Sequence, residues 1–401
     1  MMIDEIVKNL NEIIIPFWKK MRDDEYGGFY GKVDSRLKLY KKTSKACVYN
    51  SRIMWFFLQA YKYNKDRECL DCANQAYRLL KNSYLDNKDG GLYWSVSYDL
   101  IPDDTAKYTF NLAYAILALT AYYETVNDEE ALKLAVRLRD IIEAECKDDY
   151  GYLEIMGHRS SGESAFALAE GDYRGEKTAN TVLHLLEAYS ELYRVKPEKT
   201  TEDCIGYLMR IYAEKIYNPR KKHINMFFDS RMEPVADYYS FGHDIESSWI
   251  LDKCCDIVPV NDYTDTIRKI SDELIENIYE NSYSNNSIDD EMSDDTVNNR
   301  RVFWVQAEAV VGFINAWEKH PEKTEYYDAA RNIWAFIRDN IVDKRPNGEW
   351  LHDVSFEGEQ DSNASIAGPW KCPFHNGRMC MELIGRNTAR SFSERAGRKN
   401  V

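Results

Sequence analysis

The sequence predicts an all-α fold, an (α/α)6 barrel of twelve helices in an inner and an outer ring, with short β hairpins in the loops. Two observations carry this. A Gly-and-aromatic hairpin signal recurs, in Tyr26-Gly-Gly-Phe-Tyr30, Asp89-Gly-Gly-Leu-Tyr-Trp94, Asp149-Tyr-Gly-Tyr-Leu153 and Asn347-Gly-Glu-Trp350. Weaker forms without the Gly stand at Tyr217-Asn-Pro-Arg220 and Asn281-Ser-Tyr-Ser-Asn-Asn286. The steps are about 60–70 residues, right for two helices plus a long loop. Helical apolar spacing fills the intervals, as in Leu112, Ile116, Leu119 and in Val182, Leu185, Leu186, Tyr189.

Taken in order, helices are predicted over 2–22, 44–63, 66–83, 105–125, 128–145, 176–195, 199–217, 242–258, 262–280, 299–319, 323–342 and 372–386. Strand signals are short and confined to loops, at Tyr93-Trp-Ser-Val96 and Ile224-Asn-Met-Phe227. No Pro/Ser-rich linker divides the chain, so one domain is expected over 1–386. The polar and basic residues 387–401 read as a flexible tail. Residues 285–299 are polar and acidic and read as a surface loop or lid.

The 401 residues are 44% hydrophobic and 30% charged, ample for one large core. Fifty-two basic against 67 acidic residues leave a net charge of -15, which argues against nucleic acid and anionic membranes as partners. The 29 Tyr and nine Trp suit sugar stacking but are also ordinary core material. The acidic start Met1-Met-Ile-Asp-Glu5, and an apolar run Ile13–Ile15 cut by Pro16, predict no secretory or membrane segment. Nine scattered cysteines, with a lone C-x-x-C at Cys69 and Cys72, read as reduced thiols in a cytoplasm.

Unusual polar residues fall on every second helix. Asn50 and Arg52 sit on the second beside Trp55, Tyr108 and Asn111 on the fourth, and Asn180 with His184 on the sixth. His243, Glu246 and Trp249 sit on the eighth, Trp304, Gln306 and Glu308 on the tenth, and Trp370, His375 and Arg378 at the start of the twelfth. If alternate helices form the inner wall, these groups converge on one end of the barrel. Odd helices carry charge runs, as outer, solvated helices should.

Each of these has a bland alternative. His243 and Glu246, three apart, share a helical face, which an ordinary surface or core pair also does. His184, flanked by Leu183 and Leu185, reads alone as a satisfied core histidine. His158, His223, His320 and His352 lie in loops or at helix ends and read as non-catalytic. Arg52 in an apolar helix needs a carboxylate or a substrate oxygen, and a structural pair with Glu308 is a fair bland alternative. Trp249 and Trp304 could be plain core. The run His243-Asp-x-Glu246 lacks the second His of HExxH chemistry; no metal is expected.

Together, Ser51-Arg-Ile-Met-Trp55, Asn180-x-x-x-His184, Gly242-His-Asp-Ile-Glu246, Trp304-Val-Gln-Ala-Glu308 and Gly368-Pro-Trp-Lys-Cys-Pro-Phe-His375 resemble the N-acylglucosamine 2-epimerase superfamily. The likeness is greatest to its cellobiose 2-epimerase branch and runs to about Arg386. The resemblance implies C2 epimerisation of the reducing-end sugar of a β-1,4-linked disaccharide, glucose to mannose, through ring opening and a cis-enediol(ate), with no cofactor. It implies His243 and His375 as the two acid–bases, Glu246 orienting and polarising His243, and His184 as the ring-opening histidine. Arg52 is implied at the oxyanion. Asn180 and Glu308 are implied to bind hydroxyls or support the site, with Tyr108 and Trp249 also toward substrate and Trp304 and Trp370 stacking on sugar. The chain departs from the branch at Asn50, Tyr108, Phe110, Phe303 and Phe374. The partner is then a mono- or disaccharide, and the expected state is a monomer, with a homodimer the alternative. Rivals are a mannose isomerase or N-acylglucosamine epimerase of the same fold, a glycoside hydrolase using two carboxylates, and a non-catalytic sugar-binding barrel.

Overall fold

In the computed structural model, residues 2–157, 175–360 and 362–397 are described. Among them twelve helices follow one another. Helix α1 is Met2–Asn9, continuous through a π-helical stretch Leu10–Ile14 into Ile15–Lys20. Then come α2 (Cys47–Asn64), α3 (Arg67–Leu79), α4 (Thr109–Val126), α5 (Glu129–Ile141) and α6 (Ala179–Val195). The chain continues with α7 (Lys199–Ile211), α8 (Phe241–Ile257), α9 (Thr264–Asn281), α10 (Phe303–Lys319), α11 (Thr324–Phe336) and α12 (Phe374–Gly397). The last helix runs past Arg386, where the sequence reading ended it.

The even helices pack side by side in the order α2, α4, α6, α8, α10, α12, and α12 returns to α2, closing a ring. Each of α3, α5, α7, α9 and α11 packs outside the even helix that precedes it, and α1 lies against α12. This is the (α/α)6 barrel. Position in the ring explains the composition. Inner α4 is buried continuously from Thr109 to Tyr122, so it must be apolar all round. Outer α3 buries one stripe, Cys69, Leu70, Cys72, Ala73, Ala76 and Tyr77, and carries charge on the other face. No helix among the described residues is long and apolar enough to cross a membrane. All nine cysteines are buried free thiols.

All six hairpin signals form hairpins after outer helices. They pair Arg22 with Phe29, Leu85 with Leu92, Lys147 with Tyr152, Tyr217–Asn218 with His223–Ile224, Tyr283–Ser284 with Ser287–Ile288, and Val342 with Trp350. These hairpins position the site. In five repeats an acid in or beside the hairpin grips a base just ahead of the next inner helix. Lys45 meets Asp23, Lys107 meets Asp86, Lys177 meets Asp148 and Lys371 meets Glu349, each at 2.6 Å, and Arg301 meets Asp289. Asp23, Asp86 and Asp148 also accept backbone N–H groups of their own turns, so one carboxylate sets both turn and tether.

The fourth repeat differs. Its hairpin carries Asn218 in place of the acid. Here the strand Tyr238–Ser240, which leads into α8, pairs with Glu291–Ser293, itself paired with Thr296–Asn298. The expected surface loop 285–299 is therefore largely a β hairpin docked on the entrance to α8. Asp244 on α8 adds a bond to His223, which is buried rather than a free loop residue, and accepts from Ile224 N–H at 2.9 Å. Several inner helices start later than predicted because their first residues are extended and paired: Lys45–Ala46, Lys177–Thr178 and Arg301–Val302. His158 lies outside the described residues.

Candidate active site

The N-terminal turns of the inner helices converge on one end of the barrel. At the centre is Arg378, the guanidinium of α12, 1% exposed. It donates to Glu187 of α6 at 3.0 Å, to Glu308 of α10 at 2.7 Å, and to Glu246 of α8. Three carboxylates from three helices around one fork is the bidentate-capable geometry that Arg, and not Lys, supplies. Burial opposes ionisation of Glu187, but the Arg378 charge and the His184 bond hold it down to about 2.

Two histidines stand above this cluster. His375 Nδ1–H donates to Glu308 Oε1 at 2.7 Å; Glu308 also accepts from Trp249 Nε1–H at 2.9 Å. His243 Nδ1 is 2.8 Å from Ser240 Oγ, and its Nε2 is 3.4 Å from Asn180 Oδ1. Trp304 lies against both imidazoles, with ring centres 5.0 Å from His243 and 5.3 Å from His375. Burial pushes His243 down to about 4 and His375 well below the ordinary imidazole range, so both rings are neutral at pH 7. Gly242 makes room for Trp304: a Cβ there would sit 2.4 Å from the indole.

His184 accepts from Tyr114 O–H at 2.7 Å through Nε2 and donates from Nδ1 to Glu187 at 3.3 Å, which sets its tautomer. Arg52 is 6% exposed and makes no ion pair among the described residues. Its guanidinium lies 4.0 Å over the Tyr114 ring and 5.4 Å from Phe374, and its Nε has no hydrogen-bond partner. A buried cation packed on aromatic faces is suited to a negative oxygen. At the rim, Trp370 is 41% exposed and packs on Trp94 at 5.4 Å and Phe110 at 5.7 Å, with Tyr108 on the far side of Trp94.

The structure brings together His243, His375, His184, Glu246, Glu308, Arg52, Asn180 and Trp304. It corrects three expectations. Glu246 makes no hydrogen bond to His243 among the described residues: its carboxylate binds Arg378 and acts on His243 through its charge, while Ser240 bonds the imidazole. Glu308 pairs with His375 and Arg378, not Arg52. Trp249 is fully buried, so it cannot face a sugar; it braces Glu308 from behind. Asn50 is also structural, accepting from Phe29 N–H and donating to Ala46 C=O. Sequence reasoning missed Glu187, Tyr114 and the hydroxyl role of Ser240. Glu187 was findable, since it stands three residues after His184 on the same face.

Glu246, Glu308 and His375 bring ligand-type atoms within 4.8 Å of one another. Arg378 already bonds both carboxylates, so a side-chain cation holds the place a metal ion would take.

The sequence model of the family described as N-acylglucosamine 2-epimerase (GlcNAc 2-epimerase) matches residues 27–375. The chain is 40% identical over 386 residues to the cellobiose 2-epimerase of Ruminococcus albus, covering 96% of this chain and 99% of that one. The solved structure of the cellobiose 2-epimerase from Bacillus thermoamylovorans superposes with a TM-score of 0.90 at 35% identity, covering 96% and 99%. A D-mannose isomerase structure superposes at 0.79 with 19% identity, covering 95% and 96%, a likeness of fold alone. By its sequence, its ring of helices and these relatives, the chain belongs to the N-acylglucosamine 2-epimerase family.

Proposed function

We propose that this protein epimerises the reducing-end glucose of a β-1,4-linked disaccharide such as cellobiose at C2, giving mannose. The observation that carries the chemistry is the pair of imidazoles, His243 and His375, that both pack on Trp304, together with the buried cation Arg52. His184, polarised between Tyr114 and Glu187, assists ring opening to the aldehyde. The C2 proton, now α to a carbonyl, passes to one imidazole. The electron pair remains on the enediolate, whose oxygen faces Arg52. Rotation about C2–C3 presents the other face, and the second imidazole, taking up a proton from solvent as the first gives its own back, returns a proton there. His375 suits proton acceptance, because its Nδ1–H is tied to a carboxylate and its Nε2 is bare. The exposed indole of Trp370 gives the second sugar a face to stack on. The disaccharide preference rests on the relatives at 33–40% identity, which are cellobiose 2-epimerases. Nine free thiols support a reducing compartment, the cytoplasm, and the acidic surface a monomer free of nucleic acid.

An isomerase would use the same residues and return the proton at C1. A hydrolase would need two free carboxylates flanking a bond, whereas Glu246 and Glu308 both bind Arg378. Incubation with cellobiose in heavy water separates these. Deuterium at C2 of an aldose is expected; deuterium at C1 beside a ketose, or release of free glucose, would overturn the assignment. His375→Asn and His243→Ala are each expected to abolish turnover with the fold retained.

A further inference from the structure

Ser240 stands at the one place where the two imidazoles differ. It is the N-cap of α8, 3% exposed, and lies opposite Glu291 in the strand pairing that docks the 291–298 hairpin. Its Oγ accepts the His243 backbone N–H at 3.3 Å and lies 2.8 Å from His243 Nδ1. A hydroxyl has one proton and two lone pairs. With one lone pair engaged by the backbone, the hydroxyl keeps a proton and a second lone pair, so it can serve Nδ1 as donor or acceptor, and the other side of the ring decides. On the other side of the ring, Asn180 Oδ1, an acceptor, faces Nε2 at 3.4 Å. The Asn180 oxygen selects a protonated Nε2 and a bare Nδ1, and the Ser240 hydroxyl then donates to Nδ1 and holds that form. At His375 the selection is opposite. Glu308 Oε1 is shared between Arg378 and His375 Nδ1, so it accepts from both and leaves Nε2 bare.

We propose that Ser240 is a positioning residue that holds His243 in the Nε2-protonated form, opposite to the Nδ1-protonated form that Glu308 sets on His375. The resting site then holds one imidazole ready to accept a carbon-bound proton and one ready to donate a hydrogen bond to a sugar oxygen. The hydroxyl can turn from donor to acceptor, so it lets His243 exchange to the bare-Nε2 form when its own turn as base comes. A carboxylate at that place would lock the ring in one form, as at His375. This inference rests on the two-imidazole reading above.

The test is long-range 1H–15N correlation on the full chain labelled at its seven histidines, with His243 and His375 assigned by the His243→Ala and His375→Asn variants. Protonated Nε2 at His243 and protonated Nδ1 at His375 are expected. Ser240→Gly removes the hydroxyl but keeps a residue that tolerates an N-cap backbone. It is expected to lower kcat about 100-fold, with KM within about twofold, and to shift the His243 ring signals; Ser240→Thr is expected to restore both. Protonated Nδ1 at His243 in the unmodified protein, or a Ser240→Gly enzyme with unchanged ring signals and kcat, would overturn the proposal. Turnover surviving in His243→Ala would instead overturn the two-imidazole reading, while the ring signals of the unmodified protein would still report on Ser240.

Discussion

Arg378→Met removes the one cation that three buried carboxylates share. Glu187, Glu246 and Glu308 are 6%, 1% and 1% exposed, so none can turn to water when the guanidinium leaves. Removing one partner of a buried ion pair costs about 3–5 kcal/mol. A second route gives the same size. Burial alone would raise Glu187, yet Arg378 and His184 bring it from 4.5 to about 2. That drop corresponds to roughly 3 kcal/mol. The sign follows. In the natural protein the unfolded chain binds the Glu187 proton first, so this stability is present above pH 4.5 and is lost as pH falls toward 2. In Arg378→Met burial acts on Glu187 without that cation, so its carboxyl keeps its proton when folded and releases it when unfolded, and stability falls as pH rises above 4.5 instead. Urea unfolding followed by far-UV ellipticity at several pH values reads both effects. A variant with the natural midpoint at pH 7, and a slope of unchanged sign, would refute the network as described. Arg378→Lys should fall between, because a point charge cannot reach three carboxylates at once.

Glu308→Gln keeps the shape but lets the amide donate to His375 Nδ1, selecting a protonated Nε2; kcat should fall about 100- to 10,000-fold with KM little changed, measured on cellobiose. Gly242→Ala places a Cβ 2.4 Å from Trp304, so the indole must leave its position between the histidines; a loss of about 1–3 kcal/mol and of most activity is expected, read by thermal unfolding and steady-state rates. Burial puts His243 at about 4, and once protonated its Nδ1 can no longer take the Ser240 hydrogen bond that sets the ring. The acid limb of kcat/KM should therefore fall near pH 4, not near the ordinary imidazole value of about 6.5.

Much of the fold was legible in the sequence because its repeat is local. Each hairpin signal needs only a few residues, and each amphipathic or wholly apolar run declares whether its helix is outer or inner. The same alternation placed His184, His243, Trp304, Glu308 and His375 on one wall before any contact was known. The hairpin over 291–298 was not legible, because its strands are short and polar and find their partner in Tyr238–Ser240, far away in the chain.

What the tertiary structure alone decided is who touches whom around Arg378. Sequence spacing offered Glu246 to His243 and Glu308 to Arg52. The barrel gave both carboxylates to Arg378 and left Arg52 against aromatic faces. Helical spacing fixes which residues share a face, but hydrogen-bond partners within about 3 Å depend on how six helices lean together, which no single helix encodes.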